Sequence, residues 1–144
     1  MKRYTLTRGD METLQTDPGA FAETLVSEQY ANYSRFGVEN FDVNSDSGKL
    51  GEAKSTATRL TSGAKGRFRL WKQQHDKLLR ADRDGTARYV FVLFDTSERP
   101  VRARMKEQIP ADVGRQIGAR GGWNESGHSM GKQHKLPYEA IFNE

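Results

Sequence analysis

The 144-residue chain is of one-domain size, and its seven Phe, five Tyr and two Trp provide for a compact core although 29% of its residues are charged and only 35% hydrophobic. It has no cysteine, which removes disulfides, thiolate metal centres and a cysteine nucleophile together. It also lacks the run of roughly 18 apolar residues that a spanning helix needs, and the opening MKRYTLTRGDMETL has no apolar secretory segment, so a soluble, intracellular protein, cytoplasmic or nucleoid-associated, is expected.

Taken in chain order, Asp17 caps and Pro18 opens a helix predicted over 18–36, with Val26, Tyr30 and Tyr33 recurring at spacings of four and three and Gly37 ending it. Two short strands are predicted at 38–43 and 50–57, joined by a turn through Ser45, Asp46, Ser47 and Gly48. A polar loop follows at 61–65. Phe68, Trp71, His75 and Leu78 then mark one face of a second helix running to about Asp82, and Asp84-Gly85 breaks the chain. The run YVFVLF over 89–94 is continuously apolar and of strand length, which predicts a central strand buried on both faces. Residues 101–105 alternate like an edge strand, 110–119 form a short helix, and 121–132 are a glycine-rich loop. No repeat or long linker divides the chain, so a single domain over 1–144 with a mixed sheet of the α/β or α+β class is expected.

Charge is unevenly spread. Residues 1–58 carry six Lys and Arg against nine Asp and Glu, while 59–144 carry seventeen against ten. Eight of those cations fall within 59–83, against Asp76 and Asp82 alone. Such a segment attracts a polyanion through phosphate contacts and counterion release, and Arg59, Lys65, Arg67, Arg69, Lys72 and Gln73 are its candidate nucleic-acid contacts.

Chemistry concentrates in FDVNSDSGKLGEAKST, residues 41–56. Glu52 and Lys54 share one face of a strand, with Ala53 on the other. A three-residue turn of Asp46, Ser47 and Gly48 sets Asp42 opposite Glu52, whereas a two-residue Ser47-Gly48 turn sets them on opposite faces. In the first register two like charges meet, at a cost of up to about 1 kcal/mol that a divalent cation would relieve. Mg²⁺, with Mn²⁺ as its substitute, takes such a set of oxygens: Asp42, Glu52 and the Ala53 carbonyl.

These residues resemble the PD-(D/E)xK nucleases, the restriction-endonuclease-like superfamily, whose pattern is an aspartate ending one strand and an E-x-K on the next. Here that is Asp42 followed by Glu52-Ala53-Lys54, the one (D/E)-x-K triplet in the chain. No proline precedes Asp42, and Asp46 falls in the turn. Gly19-Ala20-Phe21-Ala22-Glu23 is similar to the G-x-x-x-E opening of the archaeal Holliday junction resolvases, which implies Glu23 as an accessory site residue; Gln73 is similar to a helix glutamine of some members. The resemblance spans about residues 19–94 and leaves 95–144 as a basic, glycine-rich carboxyl-terminal extension of the same domain. It implies a core of order α-β-β-α-β with a mixed central sheet flanked by helices, and Mg²⁺-dependent hydrolysis of DNA, duplex or branched, to 5′-phosphate and 3′-hydroxyl ends. Cutting two strands symmetrically would need a homodimer. The rival readings are a sequence-specific restriction or defence nuclease and a non-catalytic nucleic-acid-binding module.

The histidines add little. His75 lies on the apolar side of the second helix, as a satisfied core histidine would, while His128 and His134 lack zinc-site spacing. The stretch GARGGWNESGHSMGKQHK places Arg120, Trp123, Lys132 and Lys135 on a flexible backbone that reads equally as a loop following phosphates with Trp123 stacked on a base and as a disordered surface loop.

Overall fold

A computed structural model describes residues 1–30, 50–85 and 87–143. In chain order these form β1 (Lys2–Thr5), α1 (Arg8–Thr16), α2 (Pro18–Gln29), β2 (Leu50–Ala57), β3 (Arg67–Trp71), α3 (Lys72–Ala81), β4 (Ala87–Asp95), β5 (Arg102–Gln108), α4 (Pro110–Ala119) and β6 (Gln133–Pro137), with single 3₁₀ turns at Asp82–Asp84 and Tyr138–Ala140. Four strands make a mixed sheet in the order β1-β5-β4-β2, and β3 and β6 make a separate antiparallel ribbon. β2 and β4 are parallel, in register from Leu50 opposite Ala87 to Ala57 opposite Phe94, whereas β4–β5 and β5–β1 are antiparallel.

β4 is apolar from Tyr89 to Phe94 because both of its faces are covered there. Val90, Val92 and Phe94 point to the side of α1 and α2, where they pack with Phe21, Leu25 and Val26. Tyr89, Phe91 and Leu93 point to the other side, against Phe68 and Leu70 of β3, Leu78 of α3 and Val113 and Ile117 of α4. The fold is therefore a mixed α/β sandwich around a central sheet, the class the sequence implies. Among the described residues, no helix is long and apolar enough to cross a membrane.

Local signals hold where they are strong. The Asp17 side chain accepts from the Ala20 amide at 3.1 Å and Pro18 occupies the first turn, as a capped helix start requires. An unforeseen second helix, α1, precedes it on a capping box of Thr7 and Asp10. α2 ends at Gln29, with Tyr30 already extended at φ −122°; the remaining predicted helix, the predicted strand at 38–43 and its turn lie outside the described residues.

Three expectations are corrected. The helix expected from Phe68 begins only at Lys72, because Arg67–Trp71 is a strand with Phe68 and Leu70 turned in and Arg67 and Arg69 turned out. Its partner, Gln133–Pro137, lies far along the chain, in place of part of the flexible stretch that was expected there. The third concerns residues 101–105, which do not form an edge: β1 adds to the outer side of β5, so β5 is interior.

The ribbon is tied to β2 at Gly66, whose amide donates to the Thr58 carbonyl at 3.2 Å. A Cβ at Gly66 would fall 1.7 Å from the Ala57 carbonyl oxygen, which is backbone and has no rotamer with which to retreat. Gly66→Ala should therefore cost about 3 kcal/mol or prevent folding, measured by urea denaturation, whereas alanine at Gly9, with only the Thr7 side chain 3.9 Å away, should be tolerated.

Candidate active site

On β2, Glu52 and Lys54 lie opposite Tyr89 and Phe91 of β4 in register, so both project to the α3 side of the sheet. Glu52 is only 1% exposed. The Lys54 ammonium lies 3.6 Å from Glu52 Oε1 and donates to Gln74 Oε1 of α3 at 2.7 Å. Glu52 Oε2 is buried and, among the described residues, accepts no hydrogen bond.

This packing sets the electrostatics. Burial pushes the Glu52 carboxyl up to about 7; the charge of Glu23 pushes the same way, and Lys54 opposes them. Burial also lowers the Lys54 ammonium, opposed by Glu52 and Glu23. Glu23, half-buried on α2, thus acts on both members of the pair although it comes from the helix layer on the other side of the sheet. The Ala53 side chain packs into the core on the α2 side, as strand alternation requires. Asp42 and the register of its predicted hairpin lie outside the described residues.

The site-facing glutamine is Gln74, not Gln73. Gln73 is exposed, whereas Gln74 is 3% exposed and holds the lysine. On α3, Gln74, His75 and Leu78 form the inward face; Gln74 stands three residues after Trp71 and four before Leu78, so the apolar spacing of the helix already pointed to it. His75 is buried with Nδ1 2.9 Å from the Tyr89 hydroxyl, and burial lowers its pKa.

The basic segment is divided among a loop, β3 and α3. Arg59 donates to the Gly63 carbonyl, Lys65 pairs with Glu139 at 3.0 Å, and Lys72 pairs with Asp76 at 2.9 Å. Arg67 and Arg69 stand on the outward face of β3. Trp123 is not a free stacking platform: it is partly buried, with its ring 5.4 Å from that of His75 and 6.5 Å from that of His134.

Among the described residues no three acids or histidines group to hold a metal. Glu52 nevertheless suits one, because a buried carboxylate oxygen without a donor is what an oxygen-binding cation would complete. A mixed sheet that sets a buried acid and a lysine two residues apart, with further polar groups supplied from both helix layers, defines an acid–ammonium centre. The chain belongs to the PD-(D/E)XK nuclease superfamily, whose domain model matches residues 11–143. That span exceeds the stretch carrying the motif resemblance because β5, α4 and β6 complete the sheet and cover its α3 face. No curated protein and no solved structure matches the chain.

The buried pair makes stability depend on pH. Since the folded Glu52 carboxyl sits near 7, above its ordinary 4.5, the folded state favours the protonated acid, and that contribution is full below about 4.5 and fades as pH rises through about 7. Lys54→Met removes the compensating ammonium, so its stability should fall by about 3–5 kcal/mol at alkaline pH and much less in acid. The double variant Glu52→Gln, Lys54→Met should recover most of that loss and lose the pH dependence, as read by urea titration at both extremes.

Proposed function

We propose that this member of the superfamily is a divalent-metal-dependent endonuclease that hydrolyses DNA phosphodiesters inside the cell, with all of residues 1–144 acting as one nuclease domain. The observation that carries the reading is the buried, donor-less Glu52 Oε2 beside a Lys54 ammonium held by Gln74. Asp42, Glu52 and the Ala53 carbonyl would hold Mg²⁺, with Mn²⁺ as its substitute, and Lys54 and Glu23 would complete the catalytic set. Bound there, the cation supplies Lewis-acid polarisation of the scissile phosphate and lowers the pKa of a water.

The protein's own groups do the rest. Gln74 fixes the Lys54 ammonium, which offers a charge-assisted hydrogen bond to a phosphate oxygen as negative charge develops there. Water adds to phosphorus, the bond to the 3′ oxygen breaks, and a 5′-phosphate and a 3′-hydroxyl are left. Arg59, Lys65, Arg67, Arg69, Lys72 and Gln73 would contribute to holding the DNA. Glu23 supports a four-way-junction substrate, because it acts on Glu52 and Lys54 from the helix that carries the resolvase-like G-x-x-x-E. One acid–lysine pair per chain also favours a homodimer for symmetric cutting of two strands.

Cleavage of duplex, single-stranded and four-way-junction DNA with Mg²⁺ should be seen for the wild type, and Glu52→Ala and Lys54→Ala should each lose at least about 100-fold in rate. Gln74→Ala should lose about 10-fold in the rate at saturating DNA, whereas Gln73→Ala should weaken DNA binding and keep that rate. Chelation should stop the reaction and added Mg²⁺ restore it. Undiminished cutting by the two alanine variants, or none by the wild type under any condition, would leave a nucleic-acid-binding module in place of the nuclease. Cuts at one fixed position on long duplex would indicate a sequence-specific restriction or defence enzyme.

A further inference from the structure

Beyond the acid–lysine centre, the described surface carries a second concentration of charge on the β3–β6 ribbon. Arg67 and Arg69 project outward from β3 and Lys135 from β6, and Arg69 stands directly across from Lys135 in the strand register. Two cations in that relation destabilise a ribbon unless an anion lies over them. Nearby basic residues are neutralised: Lys65 by Glu139, Lys72 by Asp76 and Arg88 by Asp82. Arg67, Arg69, Arg120 and Lys135 have no carboxylate partner among the described residues.

The surface is built, not a loose loop. Arg69 Nε donates to Gln133 Oε1 at 2.7 Å, and its guanidinium lies 4.5 Å from the centre of the Trp71 ring, which holds the charge in place without cancelling it. After α4 the chain turns at Gly121 and Gly122, with φ of 99° and 73°, so that Asn124 pairs with Gln133 and Arg120, at the end of α4, lies beside β6. The Gly122 carbonyl accepts from His134 Nδ1 at 2.8 Å and from the Asn124 side-chain Nδ2 at 3.1 Å, and the first of these fixes the turn to the ribbon. Between them lies a cavity of about 310 Å³, lined by Arg67, Arg120 and Lys135 together with Asn124, Gln133 and His134, and none of the six is acidic. By contrast, the cavity at the opposite edge of the main sheet, with Arg3, Arg102 and Arg104, is also lined by Asp95 and Glu98 and so compensates its own charge.

We infer that the outward face of the β3–β6 ribbon, with Arg120 at its side, is the surface that grips the phosphate backbone of duplex DNA. The identity of the ligand rests on the nuclease reading; the anion preference rests on the uncompensated charge. β3 runs straight into α3, the helix whose Gln74 holds Lys54, so a strand seated on the ribbon is positioned by the same element that positions the catalytic lysine. β6, far along the chain from the acid–lysine pair, thereby supplies Lys135 to the DNA grip and pairs with the strand that carries Arg67 and Arg69.

The test is fluorescence anisotropy of a labelled duplex with the full chain in EDTA, repeated across about 50–200 mM salt. Arg67→Ala, Lys135→Ala together should weaken binding at least tenfold and reduce the slope of log K against log salt by about 2, and Arg120→Ala alone should reduce it by about 1. The charge-keeping pair Arg67→Lys, Lys135→Arg should retain most of the slope, which separates lost charge from lost folding. Arg3→Ala, Arg102→Ala removes the same net charge from the opposite edge and should leave the slope unchanged. An unaltered slope in the ribbon variants, or an equal loss in the opposite-edge variant, overturns the inference. Wild-type protein that binds with the expected slope but cuts nothing overturns the nuclease reading and leaves this surface standing.

Discussion

The protein is organised around a charge pair largely removed from water. Glu52 is buried and Lys54 nearly so, its side chain 11% exposed, on one strand, where their mutual attraction must offset the cost of desolvating both. The pair shares one face because β2 lies in parallel register against β4, with Glu52 and Lys54 opposite Tyr89 and Phe91, and Gln74 holds the ammonium at 2.7 Å. A carboxylate held near neutrality and an ammonium held by a glutamine make a centre ready to exchange a proton for a cation.

The two helix layers serve that strand differently. On one side α2 buries Phe21, Leu25 and Val26 against the sheet and so brings Glu23 within electrostatic reach of the pair. On the other, α3 packs through Leu78 and directs Gln74 onto the Lys54 ammonium. Ordinary apolar packing thus fixes where Glu23 and Gln74 sit. The low dielectric that stabilises the packing is also what shifts the acid and the lysine away from their ordinary values.

The second half of the chain, basic and rich in glycine, is part of the same architecture. β5 extends the central sheet, α4 covers its α3 face, and β6 completes the ribbon with β3. Its glycines are used where the chain must turn with positive φ, as at Gly121 and Gly122, and its tryptophan is spent on packing against His75. Charge accordingly sits on strands and a helix end, where it can be held in one arrangement.

Where a segment's pattern is strong and local, sequence alone determined it. The acid and lysine on one strand face, the buried YVFVLF strand, the capped start of α2 and the Pro110–Ala119 helix all follow from alternation, continuous apolarity, capping and proline placement. What only the tertiary structure decided was pairing between distant segments. The alternation in Arg67–Trp71 is present in the sequence, but a strand there needs Gln133–Pro137 beside it, and without that partner its apolar spacing reads equally well as a helix. Likewise the packing of α3 sets Gln74, in place of Gln73, on the Lys54 ammonium, and the interior place of β5 depended on Lys2–Thr5 at the other end of the chain. Periodicity records which side of an element is buried; it does not record which remote element buries it.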